Sequence, residues 1–224
     1  MPTRWFCPHP SSWVNERVLA IAQRRMVNLF VVRTVRGAIA IDTGAAAEGL
    51  AESLDAVGVD ASQVTHVFLT HCDSDHVGGR AAFPQARVFL GAGEEALLQR
   101  QRRRFLGLTY VPRLERPYNL LADDETVAAD GLTVRALATP GHTPGSTSYL
   151  VDERWLFTGD CIALREGVAQ PFYRLMDMER VRLPASLVRL ARLSQVNLLC
   201  TAHTGCTTNW QRAMQPWRAP AREE

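Results

Sequence analysis

The sequence predicts a layered α/β fold: two mixed β-sheets packed face to face, with helices on the outer faces. Strand-like runs followed by a helix occur in both halves of the chain, the pattern of a pseudo-duplicated layered domain. The 224 residues, 46% of them hydrophobic, suffice for one sizeable core, so residues 1–224 are read as a single domain. Candidate chemical residues also fall just after strand-like runs, where layered α/β proteins build their sites.

VNLFVVRTVRGAIAIDTG (27–44) reads as two strands meeting near Arg36 and Gly37, the second ending in a tight Asp-Thr-Gly turn. A helix follows, with Leu50, Leu54 and Val57 at helical spacing and Gly58 as its stop. VTHVFLTH (64–71) is short, β-branched and apolar, hence a buried strand, and ARVFLG (86–91) is another. EEALLQRQRRRF (94–105) reads as a helix whose acidic first turn and basic last turn suit the helix dipole. The proline-bearing stretch from Leu106 to Glu125 reads as irregular, with room for a lid or substrate loop. LTVRALATPGH (132–142), STSYLVDE (146–153) and RWLFTGD (154–160) read as strands joined by turns. PASLVRLARLS (184–194) is an amphipathic helix with Leu187, Leu190, Ala191 and Ser194 on one side, and VNLLCTAH (196–203) is a last strand.

The formal net charge of +2 and the charged fraction of 21% give no basic footprint for nucleic acid and no sign of a disordered chain. All 25 basic residues are arginine, which composition bias explains without a function. The N-terminus lacks the basic start and apolar run of a signal peptide, and no apolar stretch is long enough to cross a bilayer. Cys7, Cys72, Cys161, Cys200 and Cys206 are odd in number and form no CxxC pair, which disfavours a disulfide framework and points to a reducing cytoplasm. The expected partner is a small-molecule substrate, with no nucleic acid and no membrane; oligomeric state is left open.

Within LTHCDSDHVGG (69–79), His71, Asp73, Asp75 and His76 crowd one loop, and Gly78 and Gly79 allow a tight reversal after it. His142 sits in TPGHTPGS, Asp160 ends WLFTGD, and His203 ends LLCTAH. Imidazole and carboxylate donors together suit zinc, iron or manganese. These seven candidates are too many for one tetrahedral ion. They suffice for two ions about 3.5–4 Å apart with a bridging carboxylate.

These motifs resemble the metallo-β-lactamase-fold superfamily of metallohydrolases, with glyoxalase II-like and lactonase-like members as the type. The resemblance runs from VNLFVV and AIAIDTG to TAHTG. The family's first metal motif is His-x-His-x-Asp-His; here it reads His71-Cys72-Asp73-Ser74-Asp75-His76, with later matches at His142, Asp160 and His203. The resemblance implies a four-layer αββα sandwich with the site along one edge. It implies two divalent ions: zinc, or alternatively iron or manganese. His71, Asp73 and His142 would hold the first, Asp75, His76 and His203 the second, and Asp160 would bridge. A hydroxide between the ions would be the nucleophile, with Asp75 as the catalytic residue that orients it and shuttles a proton.

The departure from the motif is Asp73, an acid where the family has histidine. With histidine, two dications, two carboxylates and a hydroxide sum to about +1; with Asp73 ionised they sum to about 0. Carboxylate is also the harder ligand, which favours iron or manganese over zinc. Oxygen-reducing diiron members carry glutamate at this position. Asp73 is expected to be a direct metal ligand, the alternative being that it turns to solvent or to a protein partner.

Cys72, Cys161 and Cys206 lie beside proposed ligands but read as small buried hydrophobes, with alternation turning Cys161 away from the face of Asp160. Arg100 to Arg104 (RQRRR) reads as a solvated helix end, with binding of an anionic substrate as the alternative. His66 reads as packing or solvent-facing within its strand, and His9 has no motif. Phe172, Tyr173 and Arg174 follow Asp160 and are candidates to line the pocket; Asp42 is expected to support a ligand through hydrogen bonds. The expected function is metal-dependent hydrolysis of an ester, thioester or lactone. The alternative is an iron-dependent oxidoreductase handling oxygen or a sulfur compound. The 21 residues after His203 contain no lysine, which disfavours a glutathione thioester.

Overall fold

The computed structural model describes residues 6–104, 114 and 117–218. Among these, seven strands form one sheet in chain order: β1 (Ser12–Trp13), β2 (Val18–Gln23), β3 (Val27–Arg33), β4 (Ala38–Ile41), β5 (Val64–Leu69), β6 (Arg87–Gly91) and β7 (Asn119–Leu121). β1 to β4 pair antiparallel, and β4 to β7 pair parallel. The second sheet contains β8 (Thr126–Ala129), β9 (Leu132–Ala138), β10 (Thr147–Val151), β11 (Trp155–Phe157), β14 (Leu198–Thr201) and β15 (Gly205–Thr207), in the order β15-β14-β11-β10-β9-β8. Only β11 and β14 are parallel in it. The hairpin β12 (Ile162–Arg165) and β13 (Val168–Pro171) stands apart.

Strand alternation builds the layers. Val18, Ala20, Phe30, Val32, Ile39, Ile41 and Phe68 point inward and pack against Val134, Tyr149, Phe157 and Cys200 of the second sheet. Their neighbours Leu19, Ile21, Leu29, Val31, Ala38, Ala40, Val67 and Leu69 point outward, where Leu50 and Leu54 of α1 (Leu50–Asp55) cover them. On the other side, Leu137, Leu150, Leu156 and Leu199 meet Leu183, Leu187 and Leu190 of α4 (Leu183–Ala191). Both sheets are thus buried on both faces, which is why their strands read as continuous apolar runs. The result is the expected αββα sandwich. No helix among the described residues is long and apolar enough to cross a membrane.

Several elements depart from expectation. The buried stripe of α4 includes Ser186, whose hydroxyl donates to the Pro140 carbonyl at 2.8 Å, whereas Ser194 is exposed beyond the helix end. The helix expected over 94–105 is only α3 (Glu95–Leu98): Arg100 takes a left-handed φ of 59°, and the chain leaves the helix path. Strands β1, β2, β8, β12, β13 and β15 go beyond the sequence expectation, and β7 occupies part of the stretch read as irregular. Part of the expected lid or substrate loop, residues 106–113, 115 and 116, lies outside the described residues.

Candidate metal centre

Parallel pairing gathers the site. The loops after β4 and β5 leave one sheet side by side, and those after the parallel pair β11 and β14 leave the other. They carry Asp42, the 71–76 cluster, Asp160 and His203; His142 arrives in the loop between β9 and β10. Asp75 and His76 lie in the single turn α2 (Ser74–Val77), which points both back at the centre. Gly159, at φ 51°, lets the loop after β11 pass against the Thr70 side chain.

Gly78 and Gly79 have ordinary negative φ values of −61° and −86°. Close packing demands them: a Cβ would strike the Ala45 carbonyl at Gly78 and the Thr43 carbonyl at Gly79. The glycine pair seats the cluster against the loop after β4, where Thr43 N–H donates to the His76 carbonyl at 2.7 Å.

All seven candidate donors meet at one place. His71, Asp73 and His142 form one group, and Asp75, His76 and His203 another. His71, His76 and Asp160 form a third, with the donor atoms of each group within 4.8 Å of one another. Asp160 Oδ1 lies 3.2 Å from His76 Nε2 and 3.1 Å from His203 Nε2, and its Oδ2 lies 3.4 Å from His142 Nε2. Burial disfavours its charge, but the imidazoles of His203, His76 and His142 hold its carboxyl well below the usual range.

Each histidine is held from behind. His76 Nδ1 donates to Asp42 Oδ2 at 2.8 Å, and Thr70 fixes Asp42 with its N–H at 2.7 Å and its hydroxyl at 2.9 Å. His203 Nδ1 donates to the Met26 carbonyl at 2.7 Å, His71 Nδ1 to Thr70 Oγ1 at 3.1 Å, and His142 Nδ1 to Asp177 Oδ1 at 3.3 Å. In this tautomer every Nε2 turns a lone pair into the centre, the arrangement a metal ligand needs. Burial opposes charge on His76, but Asp42, Asp160 and Asp75 outweigh it and raise its affinity for a proton well above the ordinary value. Replacing Asp42 by alanine is expected to weaken metal binding by about 10–100-fold. Competition titration against a chelating dye measures this, and unchanged affinity would show that Asp42 does not orient His76.

The test of fit for a metal lies in the polar atoms left over. His71 Nε2, His76 Nε2 and Asp160 Oδ1 are buried without a hydrogen bond. A buried polar group left unsatisfied costs roughly 1–3 kcal/mol. Three at one point, all of ligand type, fit a bound divalent ion.

Three residues missed at the sequence level complete the surroundings. Glu94, fully buried, accepts from Cys72 N–H at 2.8 Å, Thr143 Oγ1 at 2.5 Å and Gly145 N–H at 3.0 Å, and so ties the first motif to the His142 loop. Asp177 backs His142. Arg104, the last residue of the expected solvated run, is buried: its Nε reaches Asp73 Oδ1 at 2.9 Å and Oδ2 at 3.0 Å, and its Nη2 reaches Oδ2 at 2.8 Å. The solvated reading holds for Arg100, Arg102 and Arg103, which are exposed, and fails for Arg104. Asp73 stands at the N-cap position of α2 yet makes no capping bond, because its carboxylate faces Arg104. Burial raises its pKa, but His142, His71 and Arg104 together hold it well below the usual range.

The remaining candidates divide. Phe172 stacks on His203 with ring centroids 4.6 Å apart and, with Tyr173 and Arg174, lines a cavity of about 650 Å³ beside the centre. Cys72 and Cys161 are buried free thiols, and burial pushes Cys161 up to about 12, far from a reactive thiolate. His66 is half-buried and stacks with Phe68 and Phe89, and His9 bonds the Pro10 carbonyl; neither belongs to any donor group.

Residues 22–203 match the family model of the metallo-β-lactamase superfamily. The chain is 31% identical over 159 residues to an uncharacterized protein, YobT, of Bacillus subtilis, covering 64% of this chain and 65% of that one. It is 33% identical over 130 residues to a probable metallo-hydrolase of Mycobacterium tuberculosis, covering 51% and 42%. It spans 65% and 42% of the length of these two relatives. In fold it is similar to a HARLDQ-motif mutant of the metallo-β-lactamase of Cronobacter sakazakii, with TM-score 0.69, 21% identity and coverage of 89% and 80%. The subclass B3 metallo-β-lactamase of Bradyrhizobium japonicum gives TM-score 0.67 at 20% identity, covering 90% and 80%. On the family match over residues 22–203, the chain belongs to the metallo-β-lactamase superfamily.

Proposed function

We propose that this protein is a metal-dependent hydrolase of an ester, thioester or lactone. The convergence of unpartnered, buried imidazole and carboxylate atoms carries this reading. Asp75, His76, His203 and Asp160 would hold the metal; zinc suits this donor set, with iron or manganese as alternatives. When bound, it supplies a Lewis acid and a water acidic enough to be nucleophilic near neutral pH.

The chain's own residues supply the rest. Asp75 has the most exposed carboxylate of the donor set, at 24% against 11% for Asp73 and 6% for Asp160. It is therefore the acid placed to take a proton from the attacking water and pass it to the leaving group. Phe172, with Pro171, Leu175, Leu183 and Trp217, gives the cavity apolar walls that suit an acyl portion, with Arg165, Arg174 and Arg180 also lining it. Arg104 meets both oxygens of Asp73, which supports hydrolysis over the iron-oxidoreductase alternative, whose ground is Asp73 as a hard metal ligand.

The test is turnover of p-nitrophenyl esters, thioesters, lactones and phosphodiesters by purified protein, before and after chelation. Acyl turnover that chelation removes and the added ion restores is expected. Turnover confined to phosphodiesters, or acyl turnover indifferent to chelation, would overturn the reading.

A further inference from the structure

We infer that the Arg104 guanidinium takes the place of one of the two ions, so that this centre holds a single divalent ion beside Asp75, His76, Asp160 and His203. The inference rests on the metal-dependent reading above and fixes how that site is built.

His142 Nε2 decides the matter. Arg104 Nη2 lies 2.7 Å from His142 Nε2, whose other near polar neighbour is Asp73 Oδ2 at 3.2 Å; in the tautomer that turns Nδ1–H to Asp177, Nε2 accepts from Arg104 and its one lone pair is used. The same lone pair cannot also bind an ion. Asp73 is engaged as well, both oxygens facing the planar fork of Arg104 in the geometry that favours arginine–carboxylate pairs. Arg104 Nη1 donates to the Met176 carbonyl at 2.5 Å, so the guanidinium is anchored on three sides, and its side chain is 0% exposed. Of the group His71, Asp73 and His142, only His71 Nε2 is without a hydrogen bond. His71 also belongs to the group with His76 and Asp160, so it can turn to the remaining ion.

Charge agrees with geometry. Arg104 neutralises Asp73, so this pole needs no ion to balance its acid. A dication beside the guanidinium would instead meet like charge in a buried place. The acid in the first motif is then explained: a histidine could not form the two-pronged pair that holds Arg104. Unlike a second metal, this cation cannot be chelated or exchanged.

Cobalt(II) titration of the metal-free full-length chain, followed by its visible ligand-field absorption and by elemental analysis, tests this. The native chain is expected to saturate at one ion, and His142→Ala to keep that ion. Arg104→Ala is expected to take up two, and Arg104→Ala with His142→Ala to return to one. Two tight ions in the native chain, or one in folded Arg104→Ala, overturn the inference and leave metal-dependent hydrolysis standing. No ion in the native chain overturns both. If Arg104→Ala does not fold, the native titration decides alone: one ion supports the inference and two overturn it.

Discussion

Replacing Asp160 with alanine is expected to lower metal affinity by more than about 100-fold, since losing only the outer support of a metal ligand costs about 10–100-fold. Hydrolysis at limiting metal should fall with it. Asp160 Oδ1 is within 3.2 Å of both His76 and His203 and has no hydrogen bond of its own. It is therefore the donor nearest the meeting point of the imidazole lone pairs. Removing it leaves those imidazoles in place but takes away the central charge. The metal-free variant should also melt lower, because Asp160 balances the buried imidazoles of His203, His76 and His142. Metal titration and thermal melting on one preparation separate the two effects. Native metal affinity in a folded Asp160→Ala protein would exclude Asp160 from the centre.

Glu94→Ala is expected to act through stability. Its carboxylate satisfies two backbone N–H groups and one hydroxyl, from Cys72, Gly145 and Thr143, all buried. Each unsatisfied group costs roughly 1–3 kcal/mol, so a loss of about 3–5 kcal/mol is expected, with incomplete additivity. For a chain of this size roughly 2–4 °C of Tm accompanies each kcal/mol. The melting temperature should fall by about 10 °C. Glu94→Gln should fall between, because one amide oxygen still accepts while its NH2 faces a donor. A melting temperature unchanged in Glu94→Ala would mean that the two loops are held together by other contacts.

The donors legible in sequence were those carried by local pattern. His71, Asp73, Asp75 and His76 lie in one loop after an apolar run, and Asp160 and His203 each end a strand-like segment. The layers were legible only as apolar strand runs such as Ala38 to Ile41; the strand Val18–Gln23, and which side chains face which layer, come from the packing. Glu94, Asp177 and Arg104 were missed because their partners are 22, 35 and 31 residues away. Nothing local separates Glu94 from an ordinary acidic first turn, or Arg104 from three exposed arginines near it. The helix expected over 94–105 gives way after Leu98: Arg100 turns left-handed and Arg104 lies buried against Asp73, a contact that local propensity does not show.

Sequence by itself determined the kind of chemistry available: imidazoles and carboxylates placed after strands of a layered α/β fold. Donor type belongs to the residue, and strand order brings such residues to one edge. Only the tertiary structure decided which lone pairs remain available. Asp42 and Asp177 turn His76 and His142 from behind, and Arg104 then engages His142 and Asp73 from the front. A lone pair serves one partner at a time, and the competing partners come from distant parts of the chain.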